Sequence, residues 1–125
     1  MAYTDLEQSK KLAEILPIES ADMCYRIVAY NSNDTHEYQP YCFVKTLESD
    51  IPCWSLAALL EILPDEIIDD NGDKIPIDIR KYDSKYLIAY RNDLNWSDKI
   101  TTDEYENLVD ACYEMILKLH KEKLL

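Results

Sequence analysis

The chain has 125 residues, of which 13 are basic and 25 acidic, for a net charge of −12; 47% are hydrophobic and one is glycine. Length and apolar content suit a single domain over residues 1–125 that buries roughly two-thirds of its unfolded surface, and they exclude a low-complexity or disordered chain. The acidity opposes direct contact with nucleic acid, because such a chain repels phosphates unless its bases gather in one place.

The opening "MAYTDLEQSKK" puts acids and lysines where a signal peptide needs a basic stretch and then an apolar run. A cytoplasmic protein with no membrane span is expected. Thr4 with Glu7 matches a capping box, and Leu6, Leu12, Ile15 and Leu16 gather on one side of the helix that follows. Pro17 stops it. "CYRIVAY" (24–30) and "YCFVK" (41–45) are β-branched and aromatic and predict strands; the polar "NSNDTHEYQP" between them predicts a loop.

"PCWSLAALLEILP" (52–64) carries one charged side chain, Glu61. Leu56, Leu59, Leu60 and Leu63 form a stripe, and Ala57, Ala58 and Ile62 leave the other side apolar too. That pattern predicts a helix buried nearly all round, the spine of the core, with Trp54 at its entry and Glu61 alone in water. "LLEILPDE" (59–66) echoes "LAEILPIE" (12–19) at six of eight positions. Agreement beyond those eight is scant, so the echo is two helices stopped by prolines and not a duplicated domain.

After Pro64 the period changes. Asn71-Gly72 predicts a tight hairpin turn with positive φ at both residues, and Ile75, Ile77 and Ile79 alternate with Pro76, Asp78 and Arg80 as in a strand with one buried face. Pro76 predicts an edge or a bulge there. "SKYLIAYR" (84–91) predicts the next strand of an antiparallel meander. Leu108, Val109, Cys112, Met115, Ile116 and Leu119 predict the last helix, starting at Asn107 or at Thr101, with Lys118, Lys121 and Lys123 at the negative end of its dipole. The fold class expected is α+β: a small, mainly antiparallel sheet packed against about three helices, a helix-flanked sandwich.

Motifs for catalysis are scarce. Cys24, Cys42, Cys53 and Cys112 lack C-x-x-C spacing and read as reduced core thiols. His36 and His120 have no cysteine at a useful spacing; Cys112 and His120 are separated by about 12 Å of helix rise. Counted from Asp69, glycine comes fourth where an EF-hand needs it sixth. No cofactor or metal is expected. The bases are spread: residues 1–106 hold ten against 22 acids, and residues 107–125 three against three. No basic face emerges from the sequence.

Candidate binding residues are the acids Asp65, Glu66, Asp69, Asp70 and Asp73 around the predicted hairpin, together with aromatics near loops and strand ends. Tyr38, Tyr41 and Trp96 are the principal aromatics, with Tyr30 and Tyr90 beside them. Amphipathic aromatics among acids suit a partner-binding face.

Three blocks, "LPIESADMCY" (16–25), "CWSLAALLEILP" (53–64) and "LVDACYEMILKLHKEKLL" (108–125), resemble uncharacterised small proteins encoded by phages and mobile elements of gut Bacteroides-type bacteria. The resemblance covers about a third of the chain and implies a bacterial cytoplasmic setting, with no catalytic residues to carry over. The expectation is an accessory protein that acts by binding another protein, either modulating a host protein through its acidic surface or mimicking DNA. The alternatives are a small metal-dependent hydrolase with a carboxylate site and an oligomeric structural component.

Overall fold

A computed structural model describes residues 2–30, 36–42 and 49–125. The fold is α+β, with three α-helices and two antiparallel sheets among the described residues. The chain divides into two compact units, residues 2–58 and 59–125.

The first unit contains α1 (Leu6–Ala13), a 3-10 turn (Ile18–Ser20) and strands β1 (Met23–Tyr30), β2 (His36–Cys42) and β3 (Ile51–Cys53), in sheet order β2-β1-β3. The cap of α1 is Asp5 and not Thr4. Asp5 Oδ1 accepts the Gln8 N–H at 2.7 Å, and Gln8 Oε1 accepts the Asp5 N–H at 3.0 Å. Thr4 is unavailable because it is wholly buried. Its Oγ1 bonds Ser9 Oγ at 2.7 Å and accepts the Trp54 N–H at 3.1 Å, while its carbonyl accepts the Tyr25 hydroxyl at 2.8 Å. Trp54 is buried as expected and donates from Nε1 to Ser20 Oγ at 3.0 Å.

β2 begins at His36, inside the stretch that the sequence predicts as loop, with Ile27↔Tyr38 and Cys24↔Tyr41 among its pairs. A sheet-edge strand tolerates polar residues on its wet face and accepts Pro40, so composition misled there. Residues 31–35 of the predicted loop and Phe43, Val44 and Lys45 of the predicted strand lie outside the described residues.

α2 (Leu56–Ile62) is shared by the two units. Ser55 caps it, accepting the Ala58 N–H at 3.2 Å while its own N–H and hydroxyl donate to Asp22. It is not the all-round buried spine the sequence predicts. Leu59 is buried, but Leu60 is 37% exposed, and Ala57 joins Glu61 in water. A helix of seven residues turns only about twice. Apolar residues off its buried stripe stay wet, as much apolar surface does in folded proteins.

The second unit continues with β4 (Glu66–Ile68), β5 (Lys74–Tyr82), β6 (Lys85–Arg91), β7 (Asp98–Thr101) and α3 (Leu108–Lys121), the strands forming a meander in order β4-β5-β6-β7. α3 packs on β6. Asn107 caps it, accepting the Val109 N–H at 3.0 Å, which decides between the two predicted starts. Val109, Ala111, Cys112, Met115, Ile116 and Leu119 are buried.

The two-residue turn that the sequence predicts at Asn71-Gly72 is found instead at the other hairpin. At Asn71-Gly72 only Gly72 has positive φ, +82°. The Gly72 N–H donates to the Asp69 carbonyl and the Asp69 N–H to the Asp73 carbonyl, both at 3.0 Å. This is the three-residue loop in which a type I turn ends in a left-handed glycine. The two-residue turn with positive φ at both positions is Asp83-Ser84, at 50° and 62°, closing Tyr82↔Lys85. Pro76 sits where β5 changes neighbour: it pairs with Glu66 of β4, and pairing with β6 begins at Ile77↔Tyr90. The missing N–H therefore falls where no β6 acceptor awaits it.

Candidate binding surface

The predicted acidic cluster divides by role. Asp69 is spent on the hairpin, its Oδ1 accepting the N–H groups of Asn71 at 2.9 Å and Asp73 at 2.8 Å. Glu66 faces Lys74 across the β4–β5 pair, at 3.8 Å. Asp65, Asp70 and Asp73 are exposed. Among the described residues, no group of His, Cys, Asp or Glu side chains is arranged to hold a metal ion.

The aromatics are more informative. Tyr90 is fully buried and donates its hydroxyl to the Pro64 carbonyl at 2.6 Å, so it is core and not interface. Tyr38 is half-buried in β2. Tyr41, on the same strand, is partly exposed, with the Arg26 guanidinium 5.7 Å from its ring centroid. Arg26 in turn grips Asp50 with Nε and Nη2, at 3.1 and 2.9 Å. Guanidinium, carboxylate and aromatic face thus hold one another in place.

Trp96 shows the same device in the second unit. Its ring lies 4.6 Å from the Arg91 guanidinium, and Arg91 Nη1 is 4.0 Å from Asp78. Arg80 ties Asp78 to Asp98 across the sheet, at 2.7 Å to each. The loop from Asn92 to Ser97 is locked by its own side chains. Asn92 Oδ1 accepts the Leu94 N–H at 2.9 Å, Asn95 Oδ1 accepts the Ser97 N–H at 3.1 Å, and the Asn92 N–H donates to the Ser97 carbonyl at 2.8 Å.

This loop holds Leu94 86% exposed and Trp96 69% exposed, with Trp96 at φ +59°. A left-handed backbone costs a non-glycine residue about 1 to 2 kcal/mol, and such strain concentrates where function requires it. Trp96 and Arg91 line a cavity of about 280 Å³ with Pro76, Ile77, Asp78 and Asp93. Arg91 Nε is shut off from solvent with no hydrogen-bond partner among the described residues.

Nucleophilic chemistry finds little here. Burial pushes the Cys112 thiol up to about 12, and burial is also the first cause of the raised Cys24 and Cys53 thiols. A thiol so disfavoured as thiolate is inert. Cys42, expected in the core, is exposed at the end of β2. His120 is exposed while Cys112 is buried on the same helix. Sequence reading selected Trp96 but missed Arg91, Leu94 and Asp78, although Arg91 five residues before a loop tryptophan was a visible signal. No helix among the described residues is long and apolar enough to cross a membrane. No protein-family model matches the chain, and no curated protein or solved structure is significantly similar to it.

Proposed function

We propose that this chain is a bacterial cytoplasmic accessory protein, of the phage or mobile-element kind its sequence blocks resemble, that acts by binding another protein. The observation carrying this reading is the Asn92–Ser97 loop: hydrogen bonds and backbone strain are used to hold a large indole and a leucine in water. Tryptophan, tyrosine and arginine dominate the energetics of protein interfaces, and a rigid aromatic anchor loses little entropy on docking. One face of Trp96 is taken by Arg91, and the aspartates Asp78 and Asp93 stand beside it. The partner surface this suits carries a basic or hydrogen-bonding group above an apolar recess.

The acidic hairpin supports the same reading at longer range. Its exposed carboxylates steer a basic partner toward the surface and raise the rate of encounter more than the final affinity. The test is a tagged pull-down from a bacterial host lysate, comparing the native chain with Trp96→Ala and with Asp70→Asn/Asp73→Asn. One stoichiometric partner kept by the native chain, lost by the first variant and kept with a slower association rate by the second is the expected result. A partner indifferent to Trp96 overturns the assignment of this surface.

A further inference from the structure

Two adjoining cavities in the second unit lie between β7 and the end of α3, and neither includes Trp96 or Arg91. The first, of about 370 Å³, is lined by Lys99, Ile100, Thr101, Lys118, Lys121 and Glu122. The second, of about 380 Å³, shares Lys99, Ile100 and Glu122 and continues past Ile67, Ile68 and Leu124. Both fall within the size range of small-molecule sites.

Three lysines around one cavity, against a single glutamate, reverse the sign of a chain that has 25 acids and 13 bases. Each arginine, Arg26, Arg80 and Arg91, has a carboxylate within 4.0 Å. Among the described residues Lys99, Lys118 and Lys121 form no such pair. Lys118 donates instead to the Thr101 carbonyl at 2.7 Å, which fixes its ammonium beside β7 and leaves two donors unused. The helix dipole accounts for cations in the last turn of α3. It does not account for Lys99, which a β-strand supplies from across the cavity.

We propose that this groove binds an aliphatic carboxylate, its head among Lys99, Lys118 and Lys121 and its hydrocarbon along Ile100, Ile67, Ile68 and Leu124. Ile68 is 60% exposed and Leu124 37%, so the tail would cover apolar surface now in water. Asp69 and Asp70 border the far end of the second cavity and repel the head, which sets the direction of binding. This inference is independent of the Trp96 surface.

The experiment is calorimetry at low salt with acetate, hexanoate, octanoate, octylammonium and octanol below their aggregation concentrations. Octanoate binds most tightly, with a gain of up to about fourfold per methylene over hexanoate, the ratio that burial of one CH₂ supplies. Lys99→Gln/Lys121→Gln, both on exposed positions, weakens octanoate at least about tenfold, as loss of a charge-assisted contact does. Ile68→Gln reduces the gain per methylene, and Trp96→Ala changes nothing. Octylammonium binding as tightly as octanoate, as the net charge alone would favour, overturns the proposal. So does octanoate affinity that is unchanged in the lysine variant or equal to that of acetate.

Discussion

Replacing Thr4 with valine keeps the volume of the side chain and removes only Oγ1. That atom meets Ser9 Oγ at 2.7 Å and the Trp54 N–H at 3.1 Å, in a residue with no exposed surface. Each buried group left without a partner costs about 1 to 3 kcal/mol, so Thr4→Val, which orphans two, loses about 2 to 6 kcal/mol. A cap residue alone would cost about 1 kcal/mol, which is the loss expected for Asp5→Ala. Ser9→Ala removes one of the orphaned groups. The double variant Thr4→Val/Ser9→Ala is therefore more stable than the sum of the single losses predicts, by about 1 kcal/mol. Urea unfolding of the four variants with a common slope measures these differences. Thr4→Val costing no more than Asp5→Ala, or strict additivity with Ser9→Ala, refutes the buried hydroxyl network.

Three further outcomes follow from the geometry. Leu59→Ala, at a fully buried position, costs about 2 to 5 kcal/mol, whereas Leu60→Ala, 37% exposed, costs clearly less in the same denaturation series. Gly72→Ala and Ser84→Gly have opposite signs: the first puts a side chain at φ +82°, where strain and not collision opposes it, and the second relieves a serine at φ 62°. Each amounts to about 1 kcal/mol in unfolding free energy. Alkali destabilises the fold, because burial holds Cys112, Tyr25 and Tyr105 protonated up to about 12, from ordinary values of 9.0 for the thiol and 10.0 for the phenols. The unfolded chain releases these protons first, so their contribution is whole below about pH 9 and falls as pH rises towards 12, read from stability against pH.

Elements with an undisturbed period were legible in the sequence. α3 keeps its apolar stripe over its whole length, whereas the alternation in β5 and β6 located the strands but not their burial: Ile79, expected on the buried face, is 43% exposed, and Ile88, Ala89 and Tyr90 are buried in succession. What escaped was decided by residues far apart in the chain. Thr4 resembles a cap locally, yet Trp54 and Ser9 claim its hydroxyl, so the cap moves to Asp5. Asn-Gly suits either hairpin loop, and the hydrogen bonding of Asp69 selects the three-residue form. His36 to Pro40 is polar in composition but lies at a sheet edge, where polarity costs nothing. Of the candidate site, Trp96 was legible as an aromatic in a loop. Its stacking on Arg91 was signalled only by their five-residue spacing, and the lysine groove unites residue 99 with residues 118 to 122, which counting bases by segment could not reveal.

The most direct test of the binding account is the affinity of a purified partner for the native chain and for Trp96→Ala, with circular dichroism to verify that both are folded. An interface anchor is worth about 2 kcal/mol or more, so the dissociation constant rises at least about thirtyfold when the indole is removed. An unchanged dissociation constant with an intact fold would contradict the account and leave Trp96 as an exposed side chain with no part in recognition.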